Sequence, residues 1–181
     1  MLVVESGTSA AFNSLQHAWV LGTVVGYDQK TKTYTCVATD PEPIRQEKVR
    51  PDDVFVPRAD TLEEDVNDLL MLTELHESTI LFALKRRYMR DVVYTNIGPI
   101  VIALNPFTFD IPWYKDAAME SYLSEGVLIE KNFPHSWAVA HETYWEMREN
   151  SMNQTILISG ESGAGKTEGA KIVVKYLGAL S

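Results

Sequence analysis

"ILISGESGAGKTEGAK", Ile156 to Lys171, decides how the rest of the chain is read. An apolar run, predicted as a strand from Thr155 to Ser159, breaks into Gly160, Gly163 and Gly165, and Lys166, Thr167 and Glu168 follow directly. The eight residues "GESGAGKT", Gly160 to Thr167, satisfy G-x-x-x-x-G-K-[ST] at every required position. Each residue type has a physical reason to be there. Backbone N–H groups can encircle a phosphate only where side chains do not intrude, so the loop Gly160, Glu161, Ser162, Gly163, Ala164, Gly165 is rich in glycine. A helix starting near Gly165 points its unpaired N–H groups and the positive end of its dipole at the same anion. Lys166 adds a full charge on a flexible stem, and the Thr167 hydroxyl is suited to Mg2+. The bland alternative is a flexible glycine loop beside an exposed lysine. The strand before and the helix after favour a nucleoside triphosphate.

Composition frames that reading. The chain has 181 residues, 45% hydrophobic and 23% charged, which suits one or two globular domains. A formal charge of −9 excludes broad nucleic-acid binding, which needs a basic face, so a phosphate site must rest on local geometry. Cys36 is the only cysteine, which leaves no intrachain disulfide. The N-terminus has no basic region ahead of its apolar residues, and the longest apolar runs are strand-sized. A cytoplasmic chain with no membrane span is expected.

Upstream of the loop the character of the sequence changes twice. Residues 1–16 are small and polar and are expected to form a loosely ordered leader. Over residues 17–58, Trp19, Leu21, Thr23 and Val25 alternate as in a strand facing a core. "YDQKTKT" reads as a turn, and Tyr34, Cys36 and Ala38 alternate again. "RPDDVFVPRA" adds a short strand, and the whole resembles a small SH3-like β-barrel. An acidic connector with a short helix leads to "HESTILFALKRRYMRD", a helix beginning at Glu77 or Ser78, whose "KRR" is expected on a solvated face. Ile80, Leu81, Leu84 and Tyr88 carry its apolar spacing. "VVYTNIGPIVIALNPF" reads as two strands around a turn supplied by Asn96 and Gly98. The second strand, apolar on both faces, is expected inside a covered sheet. "YKDAAMESYL", "HSWAVAHETYWEMREN" and "KTEGAKIVVKYLGAL" read as helices.

The filling "ESGAG" and the following "TE" narrow the family. "SGESGAGKTE", Ser159 to Glu168, resembles the phosphate loop of myosin motors. "LTELHE", "YTNIGPIVIALNPF" and "PHSWAVAHETYWEM" are similar to myosin segments, in the family's order, and residues 19 to 181 carry the likeness. The resemblance implies an α/β P-loop NTPase of the myosin motor type with an incomplete central sheet over residues 59–181, preceded by the SH3-like subdomain. It implies ATP and Mg2+ as cofactors, with Thr167 on the metal. Asn105, Pro106 and Tyr114 match the family's purine loop, which contacts adenine. Here "NPFTFDIPWY" holds one residue more than the family form, so Trp113 stands as an alternative to Tyr114. Glu168 is placed to approach the ribose or to complement the helix dipole.

The family hydrolyses ATP by closing two switch segments on the phosphate loop. No "NSSRFG"-like phrase and no D-x-x-G occurs in these 181 residues. No complete catalytic set is therefore expected, and turnover by these residues alone is not. The resemblance makes the chain an N-terminal piece of an actin-activated Mg-ATPase. The expected partners are actin filaments, through regions outside this sequence, the rest of the heavy chain, and light chains or calmodulin, in a cytoskeletal myosin complex. The competing reading is a standalone, non-catalytic nucleotide-binding or dominant-negative interaction module.

Overall fold

The computed structural model describes residues 3–123 and 133–180. It divides into two compact units, Met1–Glu64 with Leu72–Leu84, and Asp65–Met71 with Lys85–Ser181.

The first unit is a five-stranded antiparallel sheet, consistent with an SH3-like start. Its strands are β1 (Ser9–Ser14), β2 (Ala18–Asp28), β3 (Thr33–Ala38), β4 (Ile44–Val49) and β5 (Val54–Phe55), in the order β4-β3-β2-β1-β5. Side chains alternate across a pleat, so one set of alternate residues makes the core. Tyr34, Cys36 and Ala38 of β3 do this as expected, beside Phe12, Val20, Val24 and Val49. Burial raises the Cys36 thiol to about 11, so it stays a protonated, inert core group at neutral pH.

Two expectations for this unit are corrected. The loosely ordered leader over residues 1–16 contains β1, which pairs with both β2 and β5 and buries Ala10, Ala11 and Phe12. Its small residues are buried within the sheet, so their low bulk reflects packing. The phase of β2 is also the reverse of the one read. Val20 and Val24 face the core, while Leu21 and Val25 are 37% and 38% exposed. Trp19 is buried by different neighbours: its ring meets His76 edge-on, and its indole N–H donates to Glu77 Oε2 at 3.0 Å. His76 stacks on Phe55 with ring centres 3.9 Å apart.

Helix α1 (Glu77–Tyr88) starts where expected. Unwound backbone before a helix needs side-chain partners for its free N–H groups. The Ser78 N–H donates to His76 Nδ1 at 3.2 Å, and the His76 N–H donates to Thr79 Oγ1 at 3.1 Å. The buried stripe is Thr79, Ala83 and Arg87, four residues apart, and Leu81 is 38% exposed.

In the second unit, the solvated reading of "KRR" fails at Arg87, which is only 4% exposed. Its guanidinium donates to Thr95 Oγ1, Asp65 Oδ1, Asn67 Oδ1 and the Tyr94 carbonyl, all at 2.9–3.1 Å. The hairpin β6 (Tyr94–Ile97) and β7 (Ile100–Ala103) turns at Gly98, and Asn96 lies within β6 instead of the turn. Strand β7 is not inside a covered sheet: β6 is its one partner among the described residues, and Ile100 is 63% exposed. Residues 155–159 are likewise no strand. They run without a ladder partner among the described residues, and Leu157 is 87% exposed. An apolar run becomes a strand only when a neighbour takes its hydrogen bonds.

Helices α2 (Asp116–Glu120), α3 (Ser136–Asn150) and α4 (Lys166–Leu180) complete the unit. Met119, Tyr122, Trp137, Ala140, Val173 and Tyr176 form their common core. The Tyr176 hydroxyl donates to the Tyr122 carbonyl at 2.6 Å and meets His141 Nδ1 at 2.8 Å.

Candidate nucleotide site

Helix α4 begins at Lys166, directly after the glycine loop. A helix start leaves its first N–H groups without intrahelical partners. The N–H groups of Gly163, Gly165, Lys166 and Thr167 make no hydrogen bond among the described residues. The chain reaches this arrangement through left-handed backbone, with φ of 82° at Gly163 and 92° at Gly165. At Gly165 the requirement for glycine comes from the backbone. Its φ is strained for any other residue, while a Cβ there would meet the Asn105 side chain only at ordinary contact distance, 3.8 Å.

The loop is closed by its own residues. The Ala164 N–H donates to the Glu161 carbonyl at 3.1 Å, and Lys166 Nζ donates to the carbonyls of Gly160 and Glu161 at 2.8 and 2.9 Å. An ammonium has three donors, so Lys166 can hold the loop and still offer charge to an anion. Glu161, Ser162 and Thr167 are exposed, with the Thr167 hydroxyl free to meet a cation in solvent. Glu168 pairs with Lys171 one turn on, at 2.7 Å.

Asn105 comes from the segment after β7, 58 residues before Gly163, and donates from Nδ2 to the Gly163 carbonyl at 2.9 Å. Its Oδ1 accepts from the Phe107 N–H at 2.9 Å. Both ends of the amide are thus engaged within the protein, so Asn105 holds the two loops together.

Beside this junction lies a cavity of about 450 Å3, walled by Asn105, Pro106, Tyr114, Gly165, Glu168 and Ile172 among others. That volume falls in the range of small-molecule sites. Tyr114 lines it and Trp113 does not; the Trp113 ring lies against Phe133, 5.1 Å between centres. The Tyr114 phenol is held above its ordinary range by burial, and its ring meets Tyr94 edge-on at 6.4 Å. Sequence reasoning missed Tyr94, Phe109, Trp137 and, beyond Glu168, the α4 stripe. The stripe was legible: Glu168, Lys171, Ile172 and Lys175 recur at three, four and seven, one face of a helix. Phe107 and Phe109 stand 84% and 76% exposed at the same cavity, which no periodicity announces.

The comparisons with known proteins agree on one family. The family model described as Myosin head (motor domain) matches residues 66–181. Myosin-1 of Arabidopsis thaliana is 41% identical over 128 residues, covering 71% of this chain and 10% of the relative. Myosin IC heavy chain of Dictyostelium discoideum is 40% identical over 118 residues, 65% of this chain and 10% of the relative. Myosin-J heavy chain of the same organism is 37% identical over 176 residues, 97% of this chain and 8% of the relative. The chain therefore spans about a tenth of the length of the curated relatives it matches. The family model covers the glycine loop, the β6–β7 hairpin and all four α-helices, and the chain belongs to the myosin head (motor domain) family.

Proposed function

We propose that this chain is the ATP-binding N-terminal part of an actin-based motor, an α/β P-loop NTPase whose central sheet needs further strands. The observation that carries the reading is the junction of Asn105 with the glycine loop, which sets a phosphate cradle and an apolar cavity side by side. Free N–H groups, a helix N-terminus and Lys166 fit a polyphosphate; Thr167 would hold Mg2+, whose charge would neutralise the phosphate oxygens when bound. Pro106, Tyr114 and Glu168 wall the cavity that would take base and ribose. The unpaired edge of β7 and the extended residues 155–159 line a second cavity, of about 390 Å3, the form expected of strands that take ladder partners from a longer polypeptide.

Actin filaments and light chains are the proposed partners of the whole protein, in a cytoskeletal setting. No helix among the described residues is long and apolar enough to cross a membrane. The 181 residues are proposed to bind Mg-ATP without turning it over, because no D-x-x-G segment is present to order a water at the γ-phosphate.

The test is a titration of the chain with ATP and Mg2+, alongside Lys166→Ala. Binding weakened more than tenfold in the variant is expected, with no phosphate released by either. Equal affinity in the two proteins removes the phosphate-loop assignment. Steady phosphate release that Lys166→Ala abolishes removes the claim that turnover needs more chain.

A further inference from the structure

His135 is a fully enclosed polar ring of the second unit, 0% exposed, and nothing in the phosphate-loop chemistry calls for it. It sits immediately before α3, where a helix needs an acceptor for its first N–H groups. Its Nδ1 accepts from the Trp137 N–H at 3.0 Å. That contact settles the tautomer, because a neutral imidazole accepting at Nδ1 carries its proton on Nε2. The Nε2–H then donates to the Trp113 carbonyl at 3.1 Å, 22 residues away. The ring itself lies between Trp137, stacked at 3.9 Å, and Tyr94, tilted at 4.1 Å.

These contacts converge on the walls of one cavity. Tyr94, Tyr114, Ser136 and Trp137 all line it, and each is either in contact with His135 or its neighbour, or next in the chain to the carbonyl it holds. A loop of ten residues from Asn105 to Tyr114 has one anchor at its start, Asn105 to Gly163. Its far end is tied by the Trp113 carbonyl. We propose that His135 is a positioning residue for the base-binding half of the site: it clamps the C-terminal limb of this loop to the start of α3, which sets where Tyr114 stands. This rests on the reading of the 450 Å3 cavity as a base site. The burial that holds its imidazole down to about 3 keeps the ring neutral, so one nitrogen accepts and the other donates throughout the physiological range.

The two halves of the site can be tested separately, because ATP has a base and inorganic tripolyphosphate does not. His135→Asn places an amide oxygen near the Nδ1 position, keeping the helix cap while losing the donor to Trp113. Its affinity for ATP should fall about tenfold, the size of one net hydrogen bond, with tripolyphosphate affinity unchanged within twofold. His135→Gln places an amide nitrogen near Nε2 and should keep the ratio of the two affinities. If His135→Asn proves unfolded, the wild-type chain with 15N-labelled histidine answers instead: the His135 Nε2 resonance should move with ATP and stay with tripolyphosphate. An unmoved resonance, or a His135→Asn chain that keeps the wild-type ratio, overturns the positioning role alone. A wild-type chain that binds ATP no better than tripolyphosphate overturns the base-site reading and the positioning role with it.

Discussion

Asn105 Nδ2 donates to the Gly163 carbonyl at 2.9 Å, which joins the loop after β7 to the glycine loop across 58 residues of chain. The same amide fixes Phe107 through Oδ1. Asn105→Ala removes both contacts at an exposed position, so its effect should fall on ligand affinity more than on folding. A loss of about 1 kcal/mol, up to roughly tenfold in ATP affinity, is expected. Asn105→Asp should lose more, since a carboxylate would face the Gly163 carbonyl and the phosphates. Titration with ATP checks both, and an Asn105→Ala chain with unchanged affinity would show that the loops hold their places without the strut.

Arg87 offers the opposite case, a contact set that supports folding alone. Four acceptors surround a guanidinium that is 4% exposed, and one of them, Asp65, is itself 38% exposed at the side chain. Arg87→Ala leaves Thr95 and the Tyr94 carbonyl buried without their donor. A destabilisation of about 3–5 kcal/mol is expected, measured by urea unfolding. Asp65→Asn should cost about 1–2 kcal/mol, because its partner keeps three other acceptors and the site is partly hydrated. Equal costs for the two variants would contradict the burial argument.

These two residues mark what a reader of sequence can and cannot obtain. The glycine loop and the helix after it were legible because their requirement is local: glycine at fixed spacing, then Lys166 and Thr167, then a helix. Asn105 and Tyr114 came to attention only through family resemblance; both line one cavity, and what Asn105 holds depends on a contact between distant segments. Arg87 read as solvated because "KRR" shows charge but not which of three neighbours turns inward. The phase of β2 was misread for a related reason. Trp19 is buried on one side by His76, 57 residues on, while Val20 and Val24 fill the core on the other. Alternation alone cannot tell which buried set is the core. Residues 155–159 have the composition of a strand, but a strand also needs a neighbour, and composition is silent about that.

Gly22 gives a sharper test of the first unit. A Cβ built there would lie 2.1 Å from the Val37 carbonyl oxygen and 2.8 Å from the Phe12 ring, and the first of these is backbone that cannot step aside. Gly22→Ala should destabilise the unit by about 2–3 kcal/mol. Gly26, on the same strand, has open space where its Cβ would go. Gly26→Ala should stay within about 0.5 kcal/mol of the parent. Amide hydrogen exchange across β2 and β3, followed against urea, reports unfolding of this unit. Similar midpoints for the two variants would place Gly22 outside the tight crossing.

His135 also predicts a pH dependence of stability. Burial depresses its imidazole from an ordinary 6.5 to about 3, and the groups around it among the described residues are the Trp113 carbonyl, Tyr94, Tyr122 and Trp137, none of which is a carboxylate that would favour the charged form. The unfolded chain takes up a proton as pH falls through 6.5, whereas the folded chain does not until about 3. The stability contributed by the neutral ring is therefore whole above pH 6.5 and declines as pH falls below it, by at most about 1.4 kcal/mol per pH unit. Carboxylates complicate the lower end: Asp65, held below its ordinary 3.8 chiefly by Arg90, loses its contribution as pH falls through that region. The useful window is thus pH 6.5 down to 4.5, where His135 titrates in the unfolded state and Asp65 in neither. Urea midpoints should fall across that window for the parent chain, and the fall should shrink in His135→Gln, whose amide has no proton to gain. A variant whose midpoints fall as steeply as the parent's would place the pH sensitivity on another group.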